Sequence, residues 1–265
     1  MDTILADEGS KLGTELAQTY LARLPAPAGW RERLTGMDMA YAAQDAMVEA
    51  FSASGQGVVA GYKVGMTSKA MQQLCGIDTP IGGKVLGANI VGDGAELRRA
   101  DYVHLGIESE LAFRLSRDVD APLDGSDDEV LGYVASAHAA FEVVDDRKAD
   151  FSRLVAAELV AENVWNVGIV LGEGLPPAEL GPIDQLRGRY SEDGVEIATG
   201  MSSDVLGSPL NVLRWLARFL LERGSKLRAG DVIVTGSIGP LRFPVEGTEC
   251  RFDIDGLPPV SARIV

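Results

Sequence analysis

The chain has 265 residues, 46% of them hydrophobic and 24% charged, which is enough apolar material for one substantial core. Lys and Arg number 24 against 39 Asp and Glu, a formal charge of -15, so the clustered cations that bind nucleic-acid phosphates or an anionic membrane surface are missing. Cys75 and Cys250 match neither a metal-binding spacing nor a disulfide framework, and no basic-then-apolar leader or long apolar run stands out, so a reduced, cytoplasmic protein is expected.

Residues 1–56 read as a helical region. One helix is expected from about Glu8 to Leu24, broken by Pro25-Ala-Pro-Ala-Gly29, and a second from about Asp38 to Phe51, where Met39, Ala43, Met47 and Phe51 recur near a helical period. Residues 57–265 read as a β-rich catalytic domain. Alternation begins in Val58–Met66, with Val58, Ala60, Tyr62, Val64 and Met66 on one face, and predicts a half-buried strand. A second strand is expected over Ile107–Leu115, with Ile107, Leu111, Phe113 and Leu115 opposite Glu108, Glu110 and Arg114. Ser126-Asp-Asp-Glu129 has the spacing of a capping box, which predicts a helix running to about Ala140, followed by a short apolar strand at Phe141–Val144. Ser208-Pro209 and Gly224 bracket a clear helix over Leu210–Arg223. Asp231–Thr235 reads as a strand, and Cys250–Ile254 with Val260–Val265 reads as a hairpin. Helices and strands do not alternate regularly enough for a doubly wound sheet, so the expected class is α+β, a mixed and β-rich fold.

Glu108 and Glu110 lie two apart on a strand, so their carboxylates leave the same face, with Cα atoms roughly 7 Å apart. A solvent-facing strand surface would explain that pair alone. Glu142 changes the balance, because a lone carboxylate in an apolar strand costs several kcal/mol or is forced to protonate. Three carboxylates from two strands suit a hard, oxygen-preferring ion such as Mg2+ or Mn2+. Lys63, between Gly61 and Gly65, has space beside its ammonium group for a small anion; guarding a sheet edge is the plain alternative. In Thr235-Gly-Ser-Ile-Gly-Pro240 the Gly236 backbone and the Ser237 hydroxyl are candidates for approaching a substrate carboxylate, against an ordinary tight turn. His104 and His138 have no triad partner in sequence and are read as structural.

These residues resemble the 2-keto-4-pentenoate hydratases and 4-oxalocrotonate decarboxylases, within the fumarylacetoacetate hydrolase superfamily. The resemblance rests on Gly61-Tyr-Lys-Val-Gly-Met-Thr-Ser68, Ile107-Glu-Ser-Glu-Leu111, Phe141-Glu-Val-Val144, Gly207-Ser-Pro-Leu-Asn211 and Gly230-Asp-Val-Ile-Val-Thr-Gly236, in the family's order. It implies the superfamily's β-rich fold with an N-terminal helical region, metal ligation by Glu108, Glu110 and Glu142, an active-site Lys63, Mg2+ or Mn2+, and a homo-oligomer. The implied substrate is a small 2-oxo or 2-hydroxy-dienoic acid, hydrated to a 4-hydroxy-2-oxo acid in aromatic-compound catabolism. Decarboxylation, acylpyruvate hydrolysis and an inactive 2-oxo acid-binding partner remain the alternatives. Two positions depart from the family pattern. Ile81 stands where relatives carry a second acidic residue after Asp78-Thr-Pro80, leaving Asp78 as the candidate catalytic acid or base, and Trp165 stands where small residues are common, which makes it a candidate substrate contact.

Overall fold

The computed structural model describes residues 3–265. Two long helices come first, α1 (Thr3–Leu21) and α2 (Met37–Phe51), with the break at Pro25–Gly29 falling between them as expected. Gly9 and Gly13 let the two backbones approach closely: a Cβ on Gly13 would collide with the Ala43 carbonyl. Leu12, Leu16, Trp30, Met39, Met47 and Phe51 close the helical core, which runs on into Ile81, Leu86, Leu159, Val160 and Val164 of the β-rich part.

The remaining elements are β1 (Val59–Gly65), α3 (Lys69–Leu74), β2 (Ile81–Leu86), β3 (Ile90–Gly92), β4 (Ala95–Leu97), β5 (Leu105–Leu115), α4 (Asp127–Leu131), β6 (Val134–Asp145), α5 (Ala156–Ala161), β7 (Asn166–Leu175), β8 (Arg187–Glu192), β9 (Val195–Met201), α6 (Pro209–Glu222), β10 (Val232–Ser237), β11 (Glu249–Ile254) and β12 (Val260–Ile264). They form a seven-stranded sheet in the order β2-β1-β10-β5-β6-β7-β3 and a five-stranded sheet in the order β4-β12-β11-β8-β9. Most pairs are antiparallel, while β1 with β10, β3 with β7, and β4 with β12 are parallel, so the architecture is the mixed α+β expected. The hairpin of β11 and β12 and the helix α6, capped by Ser208 with Pro209 at its first position, also stand where the sequence places them.

One face of the larger sheet packs on the smaller. Ile107, Leu111, Phe113, Phe141 and Val143 meet Tyr190, Phe252, Val260 and Ile264 there, joined by Leu213, Leu216 and Leu220 of α6. The opposite face is curled inward: Val85 of β2, Ala112, Ala140, Ile169 and Leu171 of β7, Val232 and Val234 make one small buried cluster. Members of that cluster come from strands near both ends of the sheet order, which requires the curl. Alternation then places Glu108 and Glu110 on the face of Ala112, and Glu142 on the face of Ala140, above this apolar floor.

Two expectations are corrected. The helix from Ser126 has its capping box but ends at Leu131, and Val134–Ala140 is the first half of the 12-residue strand β6 rather than helix. The alanines there have good helix propensity, but the segment lies between β5 and β7, covered on both faces, where small side chains fit the curled interior. The strand at β1 is also more than half-buried: Gly61–Val64 are all buried, while Val58 is 74% exposed outside it. Since β1 has β2 on one side and β10 on the other, Lys63 does not guard a sheet edge.

Candidate metal and substrate site

Glu108 and Glu110 of β5 and Glu142 of β6 converge because Glu108 and Glu142 are direct partners across the β5–β6 ladder. Each offers one carboxylate oxygen, and the three oxygens lie within 4.8 Å of one another. Glu142 is fully buried and Glu110 is 1% exposed, while Glu108 faces the cavity with protein on its other sides. Lys63 Nζ stands 3.1 Å from Glu142 Oε2 and donates to the Val164 carbonyl at 3.2 Å.

The remaining contacts are selective. Gly236 N–H donates to Glu110 Oε2 at 2.7 Å, and Asn166 Nδ2 donates to Glu142 Oε1 at 2.9 Å. Glu142 Oε2 makes no hydrogen bond of good geometry, because Lys63 lies within ion-pair range but off the bonding direction. An orphaned buried carboxylate oxygen among like charges is the local signature of a place for a cation.

Electrostatics agree. Burial above all, with the Glu142 charge adding and Lys63 opposing, pushes the Glu108 carboxyl up to about 7. Burial followed by the charges of Glu142 and Glu108 raises Glu110 well above the usual carboxylate range. For Lys63 burial works to lower the pKa, but Glu142, Glu108 and Glu110 outweigh it and the ammonium form is reinforced. The all-oxygen donor set suits a hard divalent ion, whose binding favours the deprotonated form of the carboxyls that burial and mutual repulsion disfavour.

These groups open into a cavity of about 420 Å3. Lys63, Glu108, Glu110, Trp165, Gly236 and Ser237 all line it, so most of the sequence candidates come together. Asp78, the expected catalytic acid or base, is not brought to them: it is exposed on the loop between α3 and β2 and is not among the residues of the cavity wall. Gly236 and Ser237 also act differently from expectation. The Gly236 N–H is taken by Glu110, and the Ser237 hydroxyl donates to the Gly239 carbonyl at 2.7 Å, so both shape the wall and neither offers a spare donor from these groups.

Ile81 is fully buried and pairs with Gly65 at the start of β2, supplying an apolar backing close to Lys63. Both histidines have structural partners. His138 binds Ser136 and the Gly172 carbonyl, while His104 binds Asp146 at 2.7 Å and stacks on Phe243.

Sequence reasoning missed the turn that supports this site. Asn163, Val164 and Trp165 have φ of 54°, 52° and 60°, three consecutive residues in left-handed conformation. The Asn163 side chain holds the turn by accepting from Lys84 N–H and donating to the Lys84 carbonyl, both at 2.8 Å. This presents the Val164 carbonyl to Lys63 and Trp165 to the cavity. Asn163 was the available signal, since asparagine tolerates this backbone region, but its pairing with β2 is invisible in sequence.

A curled mixed sheet with a carboxylate trio above its apolar floor defines the class, and the chain belongs to the fumarylacetoacetate hydrolase family: residues 64–265 match the family's fumarylacetoacetate hydrolase C-terminal region. It is 34% identical over 226 residues to a 2-keto-4-pentenoate hydratase of Burkholderia vietnamiensis, covering 84% of each chain. It is 33% identical over 261 residues to 2-keto-4-pentenoate hydratase 1 of Dechloromonas aromatica, covering 96% of this chain and 97% of that one. Among solved structures, a 4-oxalocrotonate decarboxylase from Pseudomonas putida, complexed with magnesium and adipate, shares the fold with a TM-score of 0.89 at 24% identity over 98% of both chains.

Proposed function

We propose that the protein is a divalent-metal-dependent hydro-lyase that adds water to a 2-hydroxy-2,4-dienoic acid, giving a 4-hydroxy-2-oxo acid, in the breakdown of aromatic compounds. The observation that carries this reading is the convergence of Glu108, Glu110 and Glu142 beside Lys63, with Lys63, Glu108 and Glu110 lining one cavity. The names of the hydratase relatives support it. Glu108, Glu110 and Glu142 are the residues that would hold Mg2+ or Mn2+, which when bound supplies Lewis acidity toward the carboxylate and 2-oxygen of such an acid.

The chain's own groups do the rest. Lys63, kept protonated by the glutamates, places a positive charge and a donor at Nζ where negative charge develops on the substrate oxygen. Gly236 N–H and the Asn166 amide each hold one oxygen of Glu110 and Glu142, which limits the freedom of the two carboxylates that would hold the ion. Thr67, next to Gly236, lines the same cavity and is the hydroxyl nearest to Gly236 that could hold the added water. A cytoplasmic homo-oligomer is the proposed setting.

Incubation with 2-hydroxypenta-2,4-dienoate and Mg2+ is expected to consume the dienol without releasing CO2. Glu108→Ala is expected to lower kcat/KM at least about hundredfold by removing a ligand of the ion. Turnover untouched by both chelator and Glu108→Ala would overturn the metal assignment. Decarboxylation of a 2-oxo-3-enedioic acid is the second reading, supported by a 4-oxalocrotonate decarboxylase of Pseudomonas among the relatives, 28% identical over 201 residues. Release of CO2 from 2-oxohex-3-enedioate would establish it.

A further inference from the structure

Two cavities meet at the turn before β7. The catalytic cavity lies on one side and a second, of about 620 Å3, on the other; Leu154, Leu159 and Trp165 line both. Phe151 packs edge to face on the Trp165 indole, with centroids 5.6 Å apart. The indole Nε1–H is buried and makes no hydrogen bond of good geometry. A buried donor left unpaired costs about 1–3 kcal/mol, so this position of the ring calls for an acceptor. The carboxyl of Glu162 is the group within reach. The Trp165 backbone N–H donates to the Glu162 carbonyl at 3.0 Å, and the indole N–H is among the groups that favour the ionised Glu162 side chain.

Glu162 is buried at a junction of charges. Arg147, from the segment after β6, donates from Nη1 to Glu162 Oε1 at 3.2 Å, and from Nη2 to the Leu24 carbonyl at 2.6 Å and Thr19 Oγ1 at 3.2 Å. Arg31, from the turn between α1 and α2, also favours the ionised form, while Glu158, one turn back on α5, opposes it. Glu32, Asp146, Lys148, Asp150 and Arg153 line the cavities that Glu162 borders. Burial outweighs the arginines and pushes the carboxyl up to about 7, so both of its forms are populated near neutral pH.

We propose that Glu162 is a positioning residue for the catalytic cavity: its carboxylate, tied by one oxygen through Arg147 to the N-terminal helices, takes the Trp165 Nε1–H on the other and fixes the indole in the wall, and protonation releases the ring. The wall then follows both pH and the docking of the N-terminal helices, while the glutamates of the candidate metal site stay as they are. The effect on turnover rests on the function proposed above; the contact itself does not.

The test is the indole 1H–15N resonance of Trp165 in the full chain with Mg2+, assigned by its loss in Trp165→Phe and followed across neutral pH. It is expected to move downfield as pH rises through about 7, the direction of a stronger hydrogen bond to a carboxylate. In Glu162→Gln, which keeps an acceptor that does not titrate, it is expected to stay in one place. A resonance that does not titrate in the wild-type chain, or the same inflection in Glu162→Gln, overturns the proposal. With 2-hydroxypenta-2,4-dienoate, Glu162→Met, which removes the acceptor, is expected to raise KM about fivefold or more while kcat and Mg2+ affinity change less than about twofold. A wild-type KM in folded Glu162→Met also overturns it. No turnover by the wild-type chain would count against the proposed reaction, and the resonance would still decide the role of Glu162.

Discussion

Lys63 reaches Glu142 at 3.1 Å with both side chains shut off from solvent, and breaking such a pair leaves one charge buried without its counter-ion. Lys63→Met is therefore expected to destabilise the metal-free protein by about 3–5 kcal/mol in urea unfolding, with part of the loss restored by Mg2+ as it takes over the neutralisation of Glu142. Gly236 is a different case, since its φ of 119° is a conformation that side chains disfavour and a Cβ there would lie 2.5 Å from Thr67 Oγ1. Gly236→Ala is expected to pull the N–H away from Glu110 and weaken Mg2+ binding by roughly 10–100-fold in calorimetric titration, the usual effect of losing a group that orients a ligand. At this scale the glutamate trio and Lys63 were legible because their types and spacing clash with their surroundings. The roles of Gly236 and Ser237 were not, since which partner takes an N–H or a hydroxyl depends on the neighbouring strand and turn.

At the scale of elements, the turn before β7 sets part of the cavity wall. Its backbone is unfavourable for the β-branched Val164, so it persists only while other contacts hold it, chief among them the two bonds from the Asn163 side chain to Lys84. Asn163→Ala is expected to cost about 2–3 kcal/mol in chemical denaturation, through the unpaired Lys84 backbone groups and the loss of a residue suited to the left-handed region. Elements with strong local signals formed where the sequence placed them. The helix α6 has a serine cap, a proline at its first position and an apolar stripe, all local properties. The segment Val134–Ala140 went the other way, because its fate depends on pairing with β5 and β7 across a long stretch of chain.

For the whole molecule, buried carboxylates make stability depend on pH in a definite direction. Burial raises Glu162 to about 7 despite the Arg147 guanidinium beside it, and Glu108 is held near the same value. Each binds a proton more readily in the folded than in the unfolded chain, where an ordinary glutamate loses it near 4.3. Their stabilising contribution is thus full below that value and lost as pH rises through about 7. The metal-free melting temperature is expected to fall between pH 5 and pH 8. Added Mg2+ binds the deprotonated ligands, so the rise in melting temperature that it produces should be larger at the higher pH. Equal Mg2+ stabilisation at both values in thermal melts would contradict a site built from proton-retaining carboxylates.

By itself the sequence determined what local chemistry can determine: capped helices, alternating strands, and a conspicuous set of glutamates with a lysine, whose order along the chain carries the family resemblance. Only the tertiary structure decided which groups meet. It left Asp78 on an exposed loop, turned the Gly236 N–H toward Glu110, buried Ile81 behind Gly65, and used three left-handed residues to set Trp165 into the cavity wall. The physical reason is range. Helix caps and strand alternation act over a few residues, whereas the curl that brings β2 up to the turn before β7 exists only once distant strands share one buried apolar floor.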